Sequence, residues 1–471
     1  MIARRLHNFT LRAFKLCSPV KSVREIFVNI TLINMILMKF TPLIFSLLIV
    51  LTNCKAQKSQ LATNNKQPVT SDQRPATSNQ QTVSRIIPGA ERIGVYLPMI
   101  KGKRIGIFAN QTSMVGNSHL VDTLKRLGVD IKVIFGPEHG FRGTADAGEK
   151  VGNYVDQITG IPVVSLYGGK SRPDENDLKD IDILIFDLQD VGCRFYTYIN
   201  SMQSFLEAAL ENHKPLLLLD RPNPNGFYVD GPVLDPKFKS GVGRQPIPIV
   251  YGMTMGEYAM LLCGEKWLTE KANQINAYNI TTKETVDTPF HFLVIKCENY
   301  THNSKYSLPV RPSPNLPEMQ AIYLYPTTCL FEGTALSEGR GTDKAFEYIG
   351  HPLLPKNMFS FTPHPNEGAK SSKHYGEVCY GWNFGGTPAE VLKKTDGKIQ
   401  LKWIIDAYKI FPGKDSFFLK TNSFNRLAGN DVLMQQIKDG KTEEEIRKSW
   451  EPELTQFKTM RKKYLLYPDF E

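Results

Sequence analysis

The chain has 471 residues, 41% of them hydrophobic, 10% aromatic and 22% charged, the make-up of a soluble globular protein long enough for two domains. Its formal charge is +10, but residues 1–54 hold seven basic side chains (Arg4, Arg5, Arg12, Lys15, Lys21, Arg24, Lys39) against Glu25, so +6 of the charge sits there and +4 is left for the rest. So mild a surplus, with no Arg/Lys stripe interleaved with aromatics, argues against a nucleic-acid partner.

The first residues read as an address. Met38-Lys39-Phe40 precedes an apolar run from Pro42 to Leu51, then Thr52-Asn53-Cys54. A basic start, a short apolar core and small residues make a secretory signal. Cys54 resembles the lipidated cysteine of a bacterial lipobox, although Asn53 departs from the usual small residue before it. The expectation is an exported protein in the cell envelope or periplasm, held to a membrane through Cys54. Residues 1–37 lie upstream of that signal, which makes Met35 or Met38 a candidate start. Residues 55–84, dense in Gln, Ser, Thr, Asn and Lys, have too little apolar surface to offset the entropy of ordering and are expected to form a disordered linker. Of seven cysteines, Cys193, Cys263, Cys297, Cys329 and Cys379 fall in the folded part. With no C-x-x-C among them, neither a zinc site nor a dense disulfide framework is written. Buried apolar roles, with room for one disulfide, are expected.

From Ile105 strands and helices alternate. Ile105–Ala109, Ile131–Phe135, Ile161–Leu166, Asp182–Asp187 and Pro215–Asp220 are short apolar runs, with helical spacing at His119–Leu127 and Phe195–Asn212. Continuous apolar strands joined by helices predict an α/β fold: a Rossmann-like, mostly parallel sheet with helices on both faces, over residues 85–264. Thr254 with Glu257 makes a capping box for a helix reaching Leu268. Beyond residue 265 the parallel pattern fades. A strand at Phe290–Cys297, a proline-rich stretch at 306–317, helices near 401–411 and 431–439 and an amphipathic charged stretch at 442–462 predict a second, mixed α+β domain over 265–471 that closes a cleft.

Polar residues follow the strands. Asn110 and Gln111 follow the first; Glu138, His139 and Arg142 the second; Asp187, Gln189, Asp190, Arg194, Tyr196 and Tyr198 the fourth; Arg221 and Asn223 the fifth. Ligands bind at the carboxyl edge of such sheets, so these residues predict a lined pocket. Asp and Asn are also ordinary caps and turn formers. A second polar, glycine-rich loop carries Glu332, Arg340 and Asp343. G-x-G-x-x-G, the P-loop, H-E-x-x-H and G-x-S-x-G are absent, so no cofactor or metal is written into the chain and an α/β serine hydrolase is disfavoured.

Carboxylates, amides, arginines and tyrosines around a cleft suit a polyhydroxylated ligand. Glycoside cleavage needs a carboxylic acid beside the leaving oxygen and a second group at the cationic anomeric centre. Glu138 is the candidate acid, with His139 as the alternative proton carrier. Arg142, Arg194 and Arg221 are candidates for holding a substrate carboxylate.

Gly136-Pro137-Glu138-His139-Gly140-Phe141-Arg142-Gly143, Asp187-Leu188-Gln189-Asp190-Val191-Gly192 with Arg194-Phe195-Tyr196-Thr197-Tyr198, Asp220-Arg221-Pro222-Asn223-Pro224, Leu330-Phe331-Glu332-Gly333-Thr334 and Gly339-Arg340-Gly341-Thr342-Asp343 follow one another in that order. Together they resemble the bacterial exo-β-N-acetylmuramidases of the NamZ type, over about residues 85 to 471. The resemblance implies an active site between a Rossmann-like domain and a second domain. It also implies release of N-acetylmuramic acid from the non-reducing end of peptidoglycan fragments, with the catalytic glutamate at Glu138. The lactyl carboxylate of that sugar explains a need for arginine. Its 2-acetamido group can serve as internal nucleophile, with Asp187 or Asp190 orienting it; direct displacement is the other course. The same cleft without turnover would make a muropeptide- or sugar-binding lipoprotein.

Overall fold

Runs of β-branched and aromatic residues with no polar alternation are buried on both faces, and here they stack into one sheet. The computed structural model describes residues 84–143, 152–275 and 290–471. Cys54, the signal and the linker up to residue 83 lie outside the described residues, and Thr82–Glu471 clusters as one unit. The sheet has seven strands: β1 (Arg104–Ala109), β2 (Asp130–Gly136), β3 (Tyr154–Val155), β4 (Pro162–Ser165), β5 (Ile183–Asp187), β6 (Leu216–Leu219) and β7 (Phe292–Ile295). Their spatial order is β3-β4-β2-β1-β5-β6-β7. All neighbours are parallel except the edge pair β3–β4. The chain winds outward from β1 through β2 and β4, then returns to the other side of β1 at β5. That reversal opens a crevice at the carboxyl ends of β1 and β5.

Side chains alternate between the two faces. Ile105, Ile107, Ile185, Leu217 and Leu219 pack with α1 (Ile93–Ile100) and α2 (Leu120–Arg126). Phe108, Leu184, Phe186, Leu216 and Leu218 pack with α3 (Tyr198–Glu211) and α4 (Met255–Gly264). The capping box of α4 forms as the sequence predicts: Thr254 accepts from the Glu257 amide, and Glu257 accepts in return.

The second region begins with α5 (Met319–Thr328) and a 3-10 turn, Cys329–Gly333. A small antiparallel sheet follows, with β10 (Cys379–Asn383) between β8 (Tyr348–His351) and β9 (Phe359–Phe361). Helices α6 (Pro388–Thr395), α7 (Leu401–Ile410), α8 (Val432–Lys438) and α9 (Glu443–Arg461) complete it. Its core is continuous with the α3–α4 face of the large sheet.

One element sits elsewhere than its composition suggests. The strand at Phe292–Ile295 falls in the stretch expected to open the second domain, yet it pairs with β6 from Leu216↔Phe292 to Leu219↔Ile295. All four of its residues are buried, and its pairing satisfies one edge of β6 that would otherwise leave backbone groups bare. The end of the chain returns to this same place. The Tyr467 hydroxyl donates to Asp220 Oδ2 at 2.6 Å and accepts from the Cys297 amide at 2.9 Å. All five cysteines of the described residues are buried and unpaired.

Candidate active site

The loop after β2 is bent by two residues in the left-handed region, His139 at φ 70° and Gly140 at φ 75°, and the Gly140 amide donates to Pro137 O at 2.9 Å. Histidine is uncommon in that region, and such backbone is kept where the surroundings impose it. The bend leaves Glu138 half-buried and the His139 ring buried. The Tyr167 hydroxyl, just past β4, hydrogen-bonds Glu138; burial and then the Glu138 charge push that phenol up to about 12. Burial raises the phenols of Tyr196 and Tyr198, and the neighbouring charges of Asp190 and Glu138 add to it. Tyr198 accepts from Asn110 Nδ2 at 2.9 Å, and Tyr196 donates to Pro312 O at 2.9 Å. Ser313 Oγ lies 3.4 Å from His139 Nε2.

A cleft of about 190 Å³ opens here. Glu138, His139, the segment Phe195–Tyr198 and Val242 line it together with Ser313, Asn315, Leu316, Tyr325, Glu332, Arg340 and Phe346. Glu332 accepts from Arg340 Nη2 at 2.7 Å. Of the expected site residues, Glu138, His139, Tyr196, Tyr198, Glu332 and Arg340 therefore meet in one cavity.

The others do not line it; they hold the frame. Asp187 and Arg221, both buried, bond each other through two contacts of 2.6 and 2.9 Å. Arg142 is bonded to Asp156 at 2.9 Å and to Asp122 at 3.3 Å. Arg194 is wholly buried and donates to four main-chain carbonyls, Pro232, Ile247, Leu427 and Ala428, tying the loop after β5 to the second region. Burial lowers its pKa to about 9. Gln189 bonds Asp190 O and Pro222 O, Asn223 bonds Met253 O, and Gln111 bonds Pro312 O at 3.1 Å. Asn110 supports Tyr198 from behind, and Asp343 is exposed outside the cleft. The three arginines expected to grip a carboxylate are thus committed to internal partners, and the two aspartates expected beside the acid stand off the cleft wall.

Asp190 is buried between the Tyr251 hydroxyl and the Gly192 amide, with Oδ1 unpartnered. Burial raises its pKa from 3.8 to about 6 against the bonds from Tyr251, Gly192 and the Val191 backbone. The folded protein therefore binds this proton more tightly than the unfolded chain does. Between about pH 4 and 6 the native state holds more proton than the unfolded one, so this group's contribution to stability is lost as pH rises through 6 and regained as pH falls towards 4. Asp190→Asn should remove that gain, on the order of 2 kcal/mol. Denaturant unfolding measured at pH 4.5 and 7.5 reads it, and an unchanged difference between the two pH values would contradict it.

Tyr167, Ser313, Asn315, Tyr325 and Phe346 have no counterpart among the expected site residues. Tyr167 carried the same signal as the rest, since it follows a strand's carboxyl end. Ser313 and Asn315 sit in the proline-rich stretch, and nothing local marks them as cleft residues.

The family described as exo-beta-N-acetylmuramidase NamZ matches this chain twice: its N-terminal part over residues 105–320 and its C-terminal part over 323–467. The junction lies at the start of α5, later than the composition suggests, which agrees with β7 belonging to the large sheet. A curated relative, the peptidoglycan beta-N-acetylmuramidase NamZ of Bacillus subtilis (strain 168), is 40% identical over 398 residues, spanning 79% of this chain and 89% of that protein. Two crystal structures of DUF1343 family proteins from Bacteroides fragilis NCTC 9343 share the fold. One is 45% identical, with a TM-score of 0.71, covering 82% of this chain and 100% of that one. The other is 26% identical, with a TM-score of 0.66, covering 81% and 99%. The chain belongs to the exo-β-N-acetylmuramidase NamZ family.

Proposed function

We propose that this protein is an exo-acting glycoside hydrolase that releases N-acetylmuramic acid from the non-reducing end of peptidoglycan fragments, with Glu138 as general acid. The reading is carried by Glu138 at the carboxyl edge of the sheet, in one cleft with the Glu332–Arg340 pair. Glu138 gives its proton to the leaving oxygen as the bond to the anomeric carbon breaks, then takes a proton from the attacking water. Tyr167 supplies it with a hydrogen bond, and the phenols of Tyr196 and Tyr198 lie close enough to feel its charge. Glu332 takes the part expected of Asp187 or Asp190: it accepts from the 2-acetamido N–H and so turns that group's oxygen towards the anomeric carbon. His139, buried against Ser313, holds the loop that presents Glu138.

An aryl β-N-acetylmuramide offered beside the matching N-acetylglucosaminide tests the assignment. Phenol is expected from the muramide and far more slowly from the glucosaminide. Equal or reversed rates would overturn the sugar assignment, and no release from either would overturn the enzyme reading in favour of a binding protein. We further propose that the enzyme works in the cell envelope, anchored through Cys54, on the support of the basic, apolar and cysteine pattern of residues 38–54. A Cys54→Ser chain that still partitions with membranes would end that anchoring role.

A further inference from the structure

We propose that Arg340, which lines the same cleft as Glu138 and is bonded to Glu332, holds the 3-O-lactyl carboxylate of the substrate and so sets the preference for muramyl over glucosaminyl ends. The inference rests on the muramidase reading above and adds to it the residue that distinguishes the sugar.

N-acetylmuramic acid differs from N-acetylglucosamine by a lactic acid ether on O3, anionic at neutral pH. The cleft already carries two carboxyl groups, Glu138 and Glu332. A third negative group enters such a cavity only against a cation. The arginines that the sequence offers for this do not line the cleft: Arg142 is bonded to two aspartates, Arg194 to four carbonyls and Arg221 to Asp187. Among the described residues lining the cleft, Arg340 is the cation.

Its setting suits the task. Nη2 bonds Glu332 at 2.7 Å and Nε lies 3.4 Å from Glu338, so Nη1 takes part in neither contact. Glu338 is itself shared with Lys373 at 3.0 Å, which leaves Arg340 more of its charge than two private carboxylates would. The guanidinium lies over the Phe346 ring, 5.0 Å from its centroid, which fixes its plane. Gly339 sits at φ 77°, and a Cβ there would come within 2.8 Å of the Lys344 and Tyr348 carbonyls. Only glycine fits the turn that leads into Arg340. The 2-acetamido and 3-O-lactyl groups are neighbours on the sugar ring, and Glu332 and Arg340 are neighbours on the wall. One residue takes each substituent.

The test compares an aryl β-N-acetylmuramide with the same glycoside bearing a lactyl carboxamide, a neutral group of equal size. Wild-type enzyme should favour the carboxylate. Arg340→Met should lose about 10- to 100-fold in kcat/KM on the carboxylate, mostly through KM, and little on the amide. Arg340→Lys, which keeps the charge and loses the fork, should fall between and serves if the Met variant does not fold. Calorimetric binding of free N-acetylmuramic acid and its lactyl amide reads the same difference without turnover. Binding that discriminates in the absence of turnover would sink the muramidase reading and leave the Arg340 assignment standing. Equal losses on acid and amide, no loss on either, or no preference by the wild type would overturn the assignment.

Discussion

Glu138→Gln should lower kcat on a β-N-acetylmuramide with a sugar leaving group by about 10²- to 10⁴-fold, the usual contribution of a positioned general acid. Glutamine keeps the shape and an acceptor for the Tyr167 hydroxyl, so the fold and substrate binding should hold. The loss should shrink as the leaving group becomes more acidic, because a dinitrophenolate departs without a proton. Steady-state kinetics on a series of aryl muramides gives that slope. A loss of the same size across the series would mean that Glu138 only shapes the cleft. Retained turnover with sugar leaving groups would move the proton to another residue, with His139 next in line.

Arg221→Met should cost about 3–5 kcal/mol of stability, because it leaves Asp187 buried without its charge partner. Both side chains are almost wholly enclosed, at 0% and 2% exposure. Arg221 also donates to Met114 O at 3.0 Å, so the change frees a carbonyl as well. Denaturant unfolding measures the loss. Replacing both residues, Asp187→Asn with Arg221→Met, should recover part of it, since no lone charge then remains inside. An arginine that gripped substrate would behave otherwise: KM would rise and the unfolding midpoint would stay put. That outcome would return Arg221 to the cleft.

Both predictions bear on what could be read from the chain. The strands were legible because a parallel sheet covered on both faces needs unbroken apolar runs, and Ile183–Asp187, buried throughout, is such a run. The cap of α4 was legible because Thr254 and Glu257 act within one turn; Thr442 with Glu445 caps α9 in the same way. Glu138, His139, Tyr196 and Tyr198 were legible as strand-end residues at the sheet's carboxyl edge.

The same signal also picked out Asp187, Asp190, Arg194, Arg221 and Asn223, which face inward instead. A strand end needs polar side chains both to meet a ligand and to close its own loops, and residue type does not separate the two. The partner separates them, and the partner is distant: Arg221 meets Asp187 across 34 residues and Arg194 meets Ala428 across 234. For the same reason composition points β7 to the second region although it pairs with β6, since pairing decides which sheet takes a buried strand. The small sheet of β8, β9 and β10 gave no signal because no tight hairpin joins its strands, and α5 was hidden by Pro326 within it. The second region's share of the cleft was half legible. Glu332 and Arg340 stood out as a polar pair in glycine-rich loops, but only the fold brings them into one cleft with Glu138.

The most direct test of the whole account is the product of a single cut. A short chain of alternating N-acetylmuramic acid and N-acetylglucosamine, with muramic acid at the non-reducing end and a fluorophore at the other, is incubated with the enzyme and followed by mass spectrometry. The account predicts free N-acetylmuramic acid and a labelled remainder shorter by that one sugar and ending in N-acetylglucosamine. Larger internal fragments, loss of N-acetylglucosamine first, or an intact chain after long incubation would contradict it.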